Sequence, residues 1–416
     1  MPQFRLSHLA LVGALLGLSI APVFVTGVST AYAADSVRPE IGKVLQAAQD
    51  DIKKQKYKEA LGKVHEAEAI SGRTSYENYM IDFMRAAASQ GAGDYETAAK
   101  SYEAVISSGH LAGASQAKIV QALGDMYFRE KEYPKAILWL TRYQSESGDT
   151  SVRPYLIQSY YFSNDFARAA KEVSADIQAE EKAGRTPSED QLNMLASCAL
   201  KQNDKAGYAA AVEKMVAYHP RKELWVDLLN RLESKSGFND GRLGLDVLRL
   251  RYQVGILTKA EDYMNYVELA LNSGYPLEAK KGIDAAYKSG VFGTGAEASR
   301  QKRLQDLVTK KVAEDAKSIA QTEAEVSKSK DGTGMVNVGY DYVTMGQFDK
   351  GIALMEQGID KGDLKHPDDA KLHLGMAYLQ ADKKSKALQT FKAVQGTDGT
   401  SELAHLWAIA ATHPLN

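Results

Sequence analysis

The chain has 416 residues, 44% of them hydrophobic and 25% charged, with 51 Lys and Arg against 53 Asp and Glu. That composition excludes a disordered, fibrous or multi-span membrane protein and leaves length for a large buried core. A net charge of −2 offers no basic stripe for a phosphate backbone, so no nucleic-acid partner is expected, and a single cysteine, Cys198, allows neither an internal disulfide nor a cysteine-rich metal site.

Met1 to Ala33 begins with Arg5, runs apolar from Leu9 to about Val28 and ends in Ala31-Tyr32-Ala33, the small-x-small pattern that precedes a signal-peptidase cut. Cleavage after Ala33 is expected. Pro22 and the Gly, Ser and Thr residues behind it interrupt the run and weigh against the alternative, a retained membrane anchor. No cysteine at the cut could carry a lipid, and no later run of about 18 apolar residues could span a bilayer. In a two-membrane bacterium the expected location is the periplasm.

From Ala34 onward apolar residues recur at three- and four-residue spacings, which predicts helix nearly throughout. Tyr57, Ala60 and Val64, then Tyr95, Ala98 and Tyr102, read as the second helices of two early hairpins. Leu123-Gly124 with Tyr127, Tyr133, Ala136 and Leu140 makes a third unit. Leu156, Tyr160, Phe166, Ala169 and Val173 make a fourth. A fifth opens at Thr186, where Ser188 and Gln191 have the spacing of a capping box, and runs through Leu195, Val212 and Met215 to Pro220. Cys198 lies in this run and reads as a small buried hydrophobe. The pattern weakens around Trp225, Leu228 and Leu232, and residues 237–244, bounded by glycines, read as a loop. Tyr263, Tyr266 and Ala270 to Pro276, Ala279 and Ile283 form another clear copy. Between the glycine clusters at 293–295 and 332–334 lies a charged stretch with Leu304, Leu307, Val308, Val312 and Ile319 on one face, read as one long or two short helices.

The two C-terminal copies carry the register. In Leu123-Gly124 and Leu374-Gly375 alike, Gly to Tyr is three residues and Gly to Ala is twelve; Val338-Gly339 with Tyr342, Phe348, Gly351 and Met355 follows the same offsets. Gly339 and Gly375 lie 36 residues apart. This pattern resembles the tetratricopeptide repeat, a helix-turn-helix unit of about 34 residues. The resemblance implies an all-α, right-handed superhelical solenoid of stacked antiparallel hairpins, about nine repeats in all, with an irregular helical insert near 296–331. On that plan residues 34–295 form a repeat array with degenerate copies, 296–331 a long charged connector, and 332–416 the last repeats with Glu402 to Ala411 as a capping helix. The physical basis is that small residues let paired helices approach while each hairpin's exposed apolar face is buried by its neighbour.

In the family, residues flanking the Leu-Gly and Tyr positions of the first helices line a concave groove. By resemblance these are Lys118, Gln121, Asp125, Phe128 and Arg129; Gln158, Tyr161 and Phe162; Asn193, Ser197 and Lys201; Val336, Tyr340 and Val343; and Leu372, Met376 and Leu379. For Phe128, Tyr161 and Phe162 the alternative is packing between repeats, and for Leu372, Met376 and Leu379 it is cover by the last helix. The Lys and Asn clamp with which chaperone-binding members hold a terminal carboxylate is not matched, since Gln121 and Asp125, Asn193 and Ser197, and Leu372 and Met376 occupy its positions.

Catalytic and metal patterns are missing from the sequence. The eight histidines are scattered without one-turn pairing, the glycine clusters lack the Lys-Ser/Thr of a phosphate loop, and no serine sits in a nucleophile elbow. The expected function is an exported, non-enzymatic scaffold that binds a protein partner and needs no cofactor. By a looser resemblance, the whole-chain plan is similar to periplasmic repeat proteins that accompany TonB-type energy-transducing complexes. The alternatives are a structural part of envelope assembly or polysaccharide export and, remotely, a hydrolytic enzyme.

Overall fold

The computed structural model describes residues 36–415, and the leader expected over residues 1–33 lies outside them. Among the described residues there are twenty helices and no strand. The chain divides into two compact units. Unit 1 runs to Arg185 and takes in Asn193–Asp204, and unit 2 holds Thr186–Leu192 and Lys205–Asn416.

Unit 1 is built from α1 (Pro39–Lys53), α2 (Tyr57–Glu68), α3 (Ser75–Ala92), α4 (Tyr95–Ser107), α5 (Gly113–Arg129), α6 (Tyr133–Ser147), α7 (Arg153–Phe162) and α8 (Phe166–Lys182), with α9 (Glu189–Lys201) crossing the division. Consecutive helices pack as hairpins, α1 on α2 through α7 on α8. The hairpins stack in turn, α2 on α3, α4 on α5 and α6 on α7. Unit 2 continues with α10 (Lys205–Tyr218), α11 (Lys222–Glu233), α12 (Asp240–Gln253), α13 (Ala260–Asn272), α14 (Pro276–Lys288), α15 (Ala298–Val326), α16 (Thr333–Thr344), α17 (Phe348–Lys361), α18 (Pro367–Gln380), α19 (Lys384–Lys392) and α20 (Thr400–Thr412). Counted along the chain, α1–α14 and α16–α19 are nine two-helix repeats, with α15 inserted and α20 at the end.

The turn inside eight of the nine repeats, all but α11–α12, is one device used again and again. A single residue takes positive φ (Gln55 59°, Lys131 59°, Asn164 63°, Asn203 55°, Gly274 83°, Gly346 80°, Asp382 56°). The next N–H then donates to a carbonyl five residues back, as Glu132 does to Tyr127, Asp165 to Tyr160, Gln347 to Tyr342 and Lys383 to Tyr378. That left-handed cap satisfies the last carbonyls of the first helix and reverses the chain within a few residues. The second helix starts at once, five times on an aromatic: Tyr57, Tyr95, Tyr133, Phe166 and Phe348.

Inside the hairpins the small residues sit where helices touch. A Cβ on Gly124 would strike Leu140, one on Gly375 would strike Phe391, and one on Gly351 would run into the Gly339 carbonyl. Leu123, Ala136 and Leu140 are fully buried, as are Ala377 and Ala387 in the last repeat.

Several local expectations change. Residues 237–244 are not all loop: α12 begins at Asp240, so Gly241 and Gly244 are helical, because Leu243, Val247 and Leu250 at helical spacing are drawn into the core. The charged connector is a single helix, α15, with Leu304, Val308 and Ile319 buried, whereas Leu307, placed on the same face by its spacing, is 45% exposed. The box at Ser188 is formed, with Gln191 N–H donating to Ser188 Oγ (3.3 Å) and Ser188 N–H to Gln191 Oε1 (2.9 Å).

Candidate protein-binding surfaces

In unit 1 the helices α5, α7 and the 193–201 part of α9 carry the first set of expected groove residues. Lys118, Arg129, Phe162 and Lys201 are exposed, while Gln121, Asp125, Phe128, Gln158, Tyr161, Asn193 and Ser197 are half-buried. Phe128 lies edge-on to Tyr155 (ring centroids 5.3 Å apart) and to Tyr133 (5.8 Å). Tyr133 stacks on Phe162 (5.0 Å), which meets Tyr161 (5.7 Å), which meets Phe166 (5.3 Å). The Tyr161 hydroxyl is hydrogen-bonded to Ser197 Oγ at 2.7 Å. The result is an aromatic run across two repeats, tied to α9 through Ser197, that binds them together and still leaves Phe162 42% exposed.

Asp125 stands beside this run. Burial pushes its carboxyl up to about 6, against a weaker pull from the Arg129 guanidinium. Arg129 itself lies over the Tyr95 ring, 5.7 Å from its centroid. Tyr133 and Tyr155 were not among the expected groove residues. Their signal was present, since both are aromatics at or near the start of a helix, and both meet Phe128 at the end of α5.

Unit 2 places the remaining groove candidates differently. Leu372 (0% exposed), Val343 (0%) and Val336 (3%) are core residues, and α18 packs against α20, which covers it. The expectation that Leu372 lines an open groove is therefore corrected: the last helix buries it. Tyr340 (2%) and Met376 (1%) are also buried, but both reach the wall of a cavity of about 240 Å³. Arg249, Tyr266, Glu278 and Trp407 share that wall.

Arg249, Tyr266 and Glu278 of that wall belong to a charge cluster that the sequence did not announce. Arg249 of α12 is 4% exposed and donates from Nε and Nη2 to the two oxygens of Glu278 (2.8 and 2.7 Å) and from Nη1 to Asp246 (2.6 Å). His373 Nε2 lies 2.9 Å from Asp246 Oδ1, and the Tyr266 hydroxyl donates to Glu278 at 2.9 Å. The guanidinium is also held between the rings of Tyr275 (5.0 Å) and Tyr340 (4.6 Å). Burial works against ionisation of Asp246, but His373 and then Arg249 overcome it and hold the carboxyl down at about 2. Burial also works against the charge on Arg249, but Glu278, then Tyr340 and Asp246, raise it well above the ordinary guanidinium range, and burial raises the Tyr340 hydroxyl. The cluster anchors α12 to α14 and α18; His373 spends Nε2 on Asp246 and lays its ring on Tyr340 (5.4 Å). Among the described residues no group of three His, Cys, Asp or Glu could hold a metal ion, and no helix is long and apolar enough to cross a membrane.

Residues 83–150 and 339–402 match the tetratricopeptide repeat family, which makes the chain a protein of tetratricopeptide repeats over those two segments, one in each unit. No curated protein matches the sequence. Among solved structures, the TPR2AB domain of yeast Sti1 in a pHSP90 complex is 14% identical, covering 72% of this chain and all of its own, with a TM-score of 0.23. Yeast Tom70 is 12% identical over 89% of this chain and 95% of its own (TM-score 0.24), and the Naa15/Naa10 complex bound to HypK-THB is 11% identical over 88% and 70% (TM-score 0.27). Scores this low leave the assignment to the repeat match and the helix pattern.

Proposed function

We propose that the chain is an exported, non-catalytic scaffold that docks a segment of another protein on the α5, α7 and α9 face of unit 1. The observation that carries this reading is the aromatic run from Tyr155 to Phe166, which has the half-buried carboxyl of Asp125 near Tyr155 and surfaces at Phe162. Rigid rings at the surface give contact area at small entropic cost, and an acidic neighbour selects for a donor-bearing or basic segment. The leader pattern of residues 1–33 supports export, with the mature chain starting at Ala34 and residing in the periplasm of a two-membrane bacterium. Within that compartment, an accessory role beside a TonB-type energy-transducing complex is the finer reading, and a structural part in envelope assembly or polysaccharide export the alternative. Neighbouring genes for a TonB-like transducer or for a polysaccharide synthase separate these two.

The docking face is tested with the double variant Phe128→Ala, Tyr161→Ala. Crosslinked recovery of the envelope partner should fall at least about tenfold while helical circular dichroism is kept. Equal recovery by the variant and the native chain refutes the face. Export is tested separately by osmotic-shock release and the mass of the released chain: a full-length protein retained in the cytoplasm refutes it.

A further inference from the structure

On α5, α7 and α9 of unit 1 the repeats bring into register a set of polar side chains that the fold itself leaves without partners. Asp125, Gln158 and Ser197 each stand six residues before the positive-φ residue of their turn (Lys131, Asn164 and Asn203), and Gln121 and Asn193 each stand ten before it. All five are half-buried. Ser197 shares a hydrogen bond with the Tyr161 hydroxyl, whereas Gln121, Asp125, Gln158 and Asn193 make none among the described residues. For Asp125 the natural ion partner is Arg129, one helical turn on, but that guanidinium lies over Tyr95 of α4 (5.7 Å from the ring centroid) and makes no ion pair with it. The other groups that face the carboxyl are the Tyr143 hydroxyl of α6, which donates to Asp149 (2.9 Å), and Tyr155 of α7, whose ring meets Phe128.

A ligand that covers this face strips the remaining water from these four groups, and each must then be met or its desolvation weakens binding. A side-chain amide offers donors and an acceptor together, which is what a main chain complements. In a helix the main-chain groups are used on one another, whereas in an extended segment they are free and recur along its length. The carboxylate is met in full only by a cation, which the neighbouring Tyr155 ring also favours. Lys118, Arg129 and Lys201 are exposed, keep their own solvation and place no such demand on a ligand.

We infer that this face takes an extended, non-helical segment of a protein partner, its main chain on Gln121, Gln158 and Asn193 and one Lys or Arg side chain on Asp125. The inference rests on the docking face proposed above and narrows what that face accepts. It also makes binding depend on pH. Burial pushes the Asp125 carboxyl up to about 6, and only its ionised form pairs with the cation, so affinity rises as pH rises through that value.

The test replaces Phe162 with the photocrosslinker p-benzoylphenylalanine in the full-length chain, in the cells that make it, and mass spectrometry reads the captured segment. That segment, made as an end-blocked peptide, is titrated into the purified native chain by calorimetry. The bound peptide should gain no helical circular dichroism, and replacing one of its Lys or Arg residues by norleucine should weaken binding at least about tenfold. Asp125→Asn should show a similar loss. The native chain should bind about tenfold more weakly at pH 5 than at pH 7.5, a difference that Asp125→Asn removes. The norleucine peptides leave the protein untouched, so the test stands even where Asp125→Asn alters the fold. Capture of nothing refutes the docking face and this inference together. A captured segment without Lys or Arg, a helical bound peptide, or full affinity of every norleucine peptide or of Asp125→Asn leaves the face standing and overturns the inference.

Discussion

Arg249 shows how one side chain can fix a region while leaving little trace in the sequence. In Leu245-Asp246-Val247-Leu248-Arg249 the two charges stand three residues apart, the spacing of an ordinary exposed helix pair. Their further partners, Glu278 and His373, are 29 and 127 residues away in the chain, so nothing local announces the cluster. Once buried, the charges are interdependent: removing Arg249 strands Asp246 and Glu278 without their cation. Arg249→Met should therefore cost about 3–5 kcal/mol at neutral pH. The sign of its pH dependence follows from Asp246. A folded carboxyl held at about 2, below its unfolded value near 4, gives stability that is present above pH ~4 and is lost as pH falls toward ~2. In the variant Arg249's share of that depression is gone while His373 still faces Asp246, and the partly stranded carboxylates take protons more readily, so the deficit should shrink between about pH 7 and 5. Urea unfolding at both pH values checks this, and a small deficit that does not change with pH would count against the cluster.

At the scale of helices, the repeat plan was readable where packing demands a particular residue and unreadable where geometry alone is required. Small residues at Gly124, Gly339 and Gly375 are dictated by contact with the partner helix, and they carried the register. The turn inside most repeats needs only a positive φ and one backbone bond, a position filled by Gln55, Lys131, Asn164, Asn203, Gly274, Gly346 and Asp382, so no single residue type marks it. The glycines of α12 misled for the converse reason, since Leu243, Val247 and Leu250 outweigh their low helix propensity. The seam between α15 and α16 was not visible at all. Asp341 of α16 is 6% exposed; burial, and next the Asp315 carboxyl brought up by α15, push its carboxyl up to about 7. Because the folded chain then binds more protons than the unfolded chain between about pH 4 and 7, this seam loses stability as pH rises through that window. Asp341→Asn should remove the slope and raise unit 2 stability at about pH 8 by roughly 1–3 kcal/mol. Thermal unfolding across the window is the measurement, and an unchanged slope in the variant would refute the assignment.

At the scale of the whole chain, an array in which each repeat touches only its neighbours should loosen from its ends, repeat by repeat. Unit 1 has that character in its packing, with nearly every helix contact between neighbours in sequence. Unit 2 departs from it. Its early helices α10 and α12 pack on α20, and the contacts are specific: Arg242 pairs with Asp369 and Asp398, Lys235 with Glu402, His405 Nε2 lies 3.2 Å from Glu213, and Asn239 N–H donates to the Asp398 carbonyl at 3.3 Å. The last helix thus covers the preceding repeat and also closes the unit on its own beginning, which is why Leu372 is buried when its spacing assigned it to a groove. A closed unit has no free end to fray, so its loss should be felt at the far side of the loop in sequence. Truncation after Val394, removing α20, should raise amide hydrogen exchange in α10–α12 as strongly as in α18 and α19, with α13 and α14 following because Arg249 and Glu278 tie α12 to α14. If exchange rises only in α18 and α19, unit 2 behaves as an open array and its long-range ion pairs contribute little.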